Sequence, residues 1–239
     1  MKDSNSRIEI IDALRGFAVV LMVAHHLLYN LVTFLGAPGW FFSNPAFDVL
    51  QPFFAGLFIF LSGVSSRFSR SNVKRGLIAF ALALVISAVT TFMRMPIWFG
   101  VLHLLGFSML FFGLTRKFWD FIPRFASLVI FVSFFVASLL VGAHFSPRSG
   151  LVWVRGVLFV LGWSQPGFVS FDYFPLMPWL FVFLLGSWAG LYVRDRWLPG
   201  WFYEVKVPVF PAVGRKALLV YIVHQPVLYG IVIAIAALR

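Results

Sequence analysis

The sequence predicts an all-α fold: a polytopic integral membrane bundle of about seven transmembrane helices with one short re-entrant or interfacial helix. Three observations carry this. The 239 residues are 61% apolar and 11% charged, whereas soluble domains run near half apolar and about a quarter charged; the mean hydropathy is +0.94. Apolar runs recur at about 20 residues, the length that crosses roughly 30 Å of hydrocarbon at 1.5 Å per helical residue. The basic residues are also distributed unevenly between the connections. No segment is long or polar enough to fold as a separate soluble domain, so 1–239 reads as a single domain.

Taken in order, the spans are 12–34, 48–67, 76–94, 98–115, 124–143, 176–193 and 213–236. The first run is too long for a cleaved leader and lacks a small-residue cleavage site, so it reads as a retained span. The connection 35–47 holds Gly36, Pro38, Gly39 and Pro45 and no base. Asp48 and Gln51 open the second span, and Ser62, Ser65 and Ser66 close it. The basic run Arg67, Arg70, Lys74 and Arg75 leads into the third, and the fourth carries His103 near its start. The fifth is almost purely apolar, and the polar, aromatic segment Ser170–Pro175 precedes the sixth. The last carries His224-Gln225-Pro226. A shorter stretch, 151–162, contains Arg155 and reads as the re-entrant or interfacial helix, or as an eighth span.

Charge chooses between these topologies. With seven spans and a cytoplasmic N-terminus, 15 of the 19 Lys and Arg lie inside and 4 outside, as cytoplasmic loops of membrane proteins require. An eighth span would move the cluster from Arg194 to Lys216 outside, so 144–175 is assigned to the outer side along with 35–47. The same rule accounts for the net charge of +11 without a nucleic-acid partner. The chain has no cysteine, which excludes disulfides, thiolate metal sites and thiol nucleophiles.

Ionisable groups within spans are costly and therefore mark candidate sites. The first span holds Asp12, Arg15, His25 and His26. His26 lies eleven positions after Arg15, which on a helix is three turns plus about 20°, with about 16 Å of rise. Asp12 precedes Arg15 by three residues and joins that face, whereas His25 is turned about 100° from His26. Asp12 and Arg15 read as an interfacial anchor or as a binding pair; His26 reads as a buried, hydrogen-bonded imidazole or as a proton-handling group. Asp48 is a helix cap or an orienting counter-ion. His103 and His224 are each better read singly as structural, and convergence on one cavity would reverse that. Segment Ser170–Pro175 is an aromatic belt or the mouth of a sugar site. The basic clusters obey the charge rule or bind phosphate. Phosphate-loop, nucleophile-elbow and metal-ligand spacings are absent from the sequence, and no metal is expected.

The residues Arg7-Ile8-Glu9-Ile10-Ile11-Asp12-Ala13-Leu14-Arg15-Gly16 with Leu21-Met22-Val23-Ala24-His25-His26 resemble the start of the heparan-alpha-glucosaminide N-acetyltransferase catalytic-domain family, also called DUF1624. Phe60–Ser66, Phe99–His103, Phe171–Trp179 and Gly214-Arg215 through His224-Gln225-Pro226 resemble its later motifs, so the likeness spans almost the whole chain. An Arg followed after ten residues by His is also similar to the wider membrane acyltransferase superfamily, whose first-helix His is the expected catalytic residue. The chain departs from the family in having no histidine in 35–47 and about one helix pair fewer between 194 and 213.

The resemblance implies an acyltransferase that moves an acetyl group from cytoplasmic acetyl-CoA to a sugar amine or hydroxyl across the membrane. His26, as general base or transient acyl carrier, with Asp48, His103 and His224 are then the expected catalytic residues, and Asp12, Arg15, Arg67, Arg70 and Arg75 the expected acyl-CoA site. The expected setting is the lipid bilayer of a bacterial cytoplasmic (inner) membrane, with a cell-envelope or exported sugar as acceptor and a homodimer as an oligomeric option. Two other classes compete. A proton-coupled or small-molecule transporter would use the same intramembrane His and Asp, although no inverted repeat is visible. A non-catalytic scaffold fits poorly with the stacked polar groups of the first span.

Overall fold

The computed structural model describes residues 8–144, 157–165 and 167–238. Every regular element among them is helical. Nine α-helices are bounded within the described residues: α1 (Glu9–Leu35), α2 (Pro45–Ser66), α3 (Asn72–Phe92), α4 (Val101–Phe121), α5 (Arg124–His144), α6 (Leu176–Arg194), α7 (Gly200–Glu204), α8 (Phe210–Arg215) and α9 (Ala217–Ala237). Seven of them, α1 to α6 and α9, are long and apolar enough to cross a membrane. Side chains such as Leu114 and Phe125, 75% and 76% exposed, need a hydrocarbon solvent, and the protein is an integral membrane protein.

Local chemistry sets the helix ends. Glu9 and Asp12 lie in the first turn of α1, where the helix dipole favours acids. Gly36, at φ +67°, ends the helix in the left-handed conformation that glycine adopts without penalty. Asn44 accepts from the Ala46 N–H (3.0 Å) ahead of α2, and Ser71 accepts from the Lys74 N–H (3.2 Å) to cap α3. Pro52 and Pro226 lie inside helices, which membrane helices tolerate.

The helices depart from the expected spans mainly at their polar ends. Helix α4 runs on through Arg116, Lys117 and Asp120 to Phe121, because helical hydrogen bonding does not stop where hydrocarbon does. The expected span 213–236 is divided at Lys216 into α8 and α9. Of the expected segment 151–162, residues 151–156, including Arg155, lie outside the described residues. Val157 and Leu158 are helical and Phe159–Leu161 forms a 3-10 turn.

The chain divides into two compact units, 1–61 with 198–239, and 62–197. In the first, α1 crosses α8 where a Cβ on Gly16 would strike the Phe210 carbonyl and one on Gly214 the Asp12 carbonyl. Only glycine at both positions permits this backbone approach. Phe17 packs edge-on against Phe210 (5.6 Å) and Phe54 (5.9 Å). Farther along, α1 lies beside α9. The pairs His26–His224, Asn30–Gln225 and Phe34–Tyr229 ascend both helices in the same order, so α1 and α9 run in the same direction. A first and a last span that run together require an odd number of crossings, and the seven candidate spans among the described residues agree with that.

In the second unit α3 and α4 meet where Gly76 faces Leu110 and Gly106 faces Phe80. Phe112 on α4 meets Phe183 on α6, and Phe134 on α5 stacks on Phe181 of α6. Trp188 Nε1–H donates to the Arg124 carbonyl at 2.8 Å.

Candidate functional site

The face of α1 derived from helical periodicity is present in the first unit. At its N-terminal end Arg15 Nη1 donates to Asp12 Oδ1 at 2.9 Å, one turn apart. Glu9 accepts from Lys206 Nζ at 2.9 Å. Three turns up, His26 Nδ1 lies 2.7 Å from His224 Nε2, with the two rings 16° from parallel. His25 points elsewhere, against the edge of Phe42 (5.5 Å).

Protons in this pair are assigned by the hydrogen bonds around it. His224 Nδ1 faces two carbonyls of its own helix, Tyr221 O at 2.7 Å and Val220 O at 3.1 Å. Carbonyls only accept, so His224 Nδ1 carries a proton and its Nε2 is the lone-pair nitrogen. His26 Nδ1 must therefore be the donor across the 2.7 Å contact. This leaves the lone pair of neutral His26 on Nε2, to which no described residue hydrogen-bonds. His224 is buried, and the carbonyls of α9 hold it as the orienting partner of His26.

No hydrogen bond joins Asp48 to either histidine. It lies exposed in the first turn of α2, where an acid suits the helix dipole. The partners of His224 Nδ1 are two backbone carbonyls, and no composition signal announces them.

The other expected residues belong to the second unit. His103 is buried, and both of its ring nitrogens are engaged. Nδ1 accepts from the Gly100 N–H at 3.2 Å, and Nε2 lies 3.2 Å from Ser87 Oγ, which in turn donates to the Ile97 carbonyl. His103 thus holds the turn 97–100 that starts α4. Asp172 caps the same helix by accepting from the Val101 N–H (3.1 Å). Segment 170–174 lies along 96–101, with Phe171 N–H to Pro96 O (3.1 Å) and Phe174 N–H to Phe99 O (2.8 Å).

Arg67 is a buried hub. Its Nε donates to the Ser187 carbonyl (2.8 Å), its Nη1 pairs with Asp120, and its guanidinium lies 4.8 Å from the Phe112 ring centre. Burial lowers its pKa from the ordinary value, and Asp120 opposes that. Arg70 and Arg75 are exposed and so offer cationic groups that Arg67 does not. Across the same unit Arg124 pairs with Asp195 and lies over Tyr192 and Trp197. The hydrogen bond from Arg194, with that from Arg124, holds the Asp195 carboxyl below its ordinary value.

Among the described residues no group of three His, Asp or Glu is placed to hold a metal ion. Sequence reasoning had passed over Asn30 and Asp120. Asn30 was within reach, since four residues after His26 is the next position on the same helical face. Asp120 was not, because nothing local links it to Arg67.

A family model described as "Heparan-alpha-glucosaminide N-acetyltransferase, catalytic" matches residues 7–226. No curated protein and no solved structure matches the chain.

Proposed function

Because the chain belongs to the heparan-alpha-glucosaminide N-acetyltransferase catalytic family, we propose that this membrane acetyltransferase uses His26 as general base to transfer acetyl from acetyl-CoA to an amine or hydroxyl of a sugar. One observation carries the assignment: the relay from the Tyr221 carbonyl through His224 to His26 Nδ1, which leaves Nε2 as the base. The acceptor's N–H or O–H gives its proton to His26 Nε2 while its nitrogen or oxygen attacks the thioester carbonyl. Collapse of the tetrahedral intermediate breaks the C–S bond. The imidazolium then returns the proton to the departing sulfur, so the products are an acetamide or ester and CoA-SH. During the step His224 Nε2 accepts from Nδ1–H and steadies the charge, as an orienting partner does in other acid–base sites.

The rest of the reading is assigned by position. Donor phosphates would be met by cytoplasmic cations: within the first unit the candidate is the Asp12–Arg15 end of α1, and within the second the exposed Arg70 and Arg75. The acceptor would come from the outer side, toward the Gly36 end of α1. Asp48 would lie at that outer mouth, and His103 would hold the 97–100 turn and touch no substrate. The whole of 1–239 would act as one catalytic domain.

The test is acetyl transfer from labelled acetyl-CoA to D-glucosamine by the purified full chain. His26→Gln keeps a hydrogen-bonding side chain but cannot take up a proton, and should lose at least ~100-fold, the low end for a general base. His25→Ala should keep most of the activity. Full transfer by folded His26→Gln defeats the proposal.

A further inference from the structure

One helical turn beyond the histidine pair, the bundle holds a second polar pair that the proton relay does not use. Asn30 follows His26 by four residues, rotated only about 40° and about 6 Å farther along α1. Its side chain is fully buried (0% exposed). Gln225 adjoins His224 on α9, and its Nε2 donates to Asn30 Oδ1 at 3.2 Å.

This contact satisfies only half of each amide. Asn30 Nδ2 and Gln225 Oε1 are both buried and have no hydrogen-bond partner. Exchanging O and N in both side chains would reverse the roles, yet one donor and one acceptor would still be left over. Buried amides are seldom left so in a bundle, and each such group calls for an explanation. Here two orphans of opposite kind lie on paired side chains, next along the face that carries the base.

What is missing has a definite chemistry. A group that accepts from an amide N–H and donates to an amide carbonyl is a hydroxyl or a neutral amine. A carboxylate or phosphate cannot donate, an ammonium cannot accept, and a purely apolar group satisfies neither. The spacing is also informative. On a sugar ring, neighbouring hydroxyl and amine groups lie a few ångströms apart, so one can sit at the amide pair while another reaches His26 Nε2.

We propose that Asn30 and Gln225 are the specificity-determining residues for the acyl acceptor, gripping one hydroxyl or amine of a sugar while its neighbour meets His26. This rests on the acetyltransferase reading above and adds to it the residues that select a polyhydroxylated acceptor. Asn30 donates to the gripped oxygen or nitrogen, and Gln225 accepts its proton. The pair lies toward the Gly36 end of α1, the end from which the acceptor is proposed to enter.

The test measures binding of D-glucosamine and, separately, of acetyl-CoA to the full chain in detergent, by titration calorimetry. Wild type is compared with Asn30→Leu, Gln225→Met and the double variant. The double variant removes both amides together and leaves no orphan, which keeps the fold free of a new unsatisfied group. Glucosamine Kd should rise at least about tenfold in each variant while acetyl-CoA Kd stays within about twofold. An unchanged glucosamine Kd in the folded double variant overturns the proposal. So does a wild type that binds no glucosamine, with density for an ordered water alone between the two amides.

The two readings fail separately. Glucosamine binding that depends on Asn30 and Gln225, without any acetyl transfer to it, would sink the acetyltransferase mechanism and leave the sugar seat standing. Transfer that is indifferent to both substitutions would do the reverse.

Discussion

His26 and His224, 198 residues apart in the chain, are joined by a single 2.7 Å hydrogen bond in which Nδ1 of the first donates to Nε2 of the second. The direction of that bond follows from the carbonyls of Tyr221 and Val220, which require a proton on His224 Nδ1. In the proposed mechanism His224 is a positioning residue, and its substitution should be graded. Gln can still accept the His26 Nδ1–H, so His224→Gln should stay within about tenfold of wild type. His224→Phe fills the space and accepts nothing, and should lose about 10–100-fold, the usual range for an orienting partner. Nitrogen NMR of labelled histidine would show His26 losing its single tautomer in the Phe variant. Wild-type transfer by His224→Phe would refute the relay.

The arginines near the start of α3 should separate by role. Arg67→Ala would leave the Ser187 carbonyl without its donor and Asp120 with only the 3.5 Å contact to Arg116. Since the Asp120 side chain is 39% exposed, the cost should be about 2–3 kcal/mol, below the full loss from a buried pair. Unfolding in detergent measures it. Arg70→Ala with Arg75→Ala removes exposed groups and should change stability by at most about 0.5 kcal/mol for each, while weakening acetyl-CoA binding. A stable Arg67→Ala, or unchanged acetyl-CoA binding in the double variant, would contradict the respective assignment.

Orientation can be read on a sequence with no cysteine of its own. Ser71→Cys introduces a unique thiol at the cap of α3, at the cost of about 1 kcal/mol of capping. It should react with an impermeant maleimide only after the membrane is opened. Labelling in intact cells would invert the proposed topology.

Tyr173 supplies an alkaline signature outside the spans. Its hydroxyl donates to the Phe159 carbonyl (2.5 Å), and burial pushes its pKa up to about 12 from an ordinary 10.0. The folded state therefore holds this proton where the unfolded chain has begun to lose it. The contribution is complete below pH 10 and declines as pH rises from about 10 to 12. The unfolding midpoint of wild type should fall faster over that window than that of Tyr173→Phe, and phenolate absorbance should show one late-titrating tyrosine. Parallel curves would rule the contribution out.

The long apolar runs, the seven candidate spans among the described residues and the shared face of Arg15 and His26 were legible in the sequence because each depends on local rules. A lipid-spanning helix must satisfy its own backbone, and its 3.6-residue turn then dictates which side chains share a face. The separation of His25 from His26 followed from the same arithmetic, and His25 does turn away toward Phe42.

What only the tertiary structure decided is which groups on different helices meet. Nothing within α1 says that His224 lies opposite His26, that backbone carbonyls face His224 Nδ1, or that Gln225 reaches Asn30. Nor does the run from Arg67 to Arg75 reveal that its first member is consumed by Asp120 and Ser187 while Arg70 and Arg75 stay exposed. These partners depend on how close two helices come, as at Gly16 and Gly214 where missing Cβ atoms let backbones touch, and on the rotation each helix adopts once packed. Helical periodicity acts within one segment; packing between segments far apart in the chain chooses the partner and, through it, which ring nitrogen of His26 keeps its lone pair.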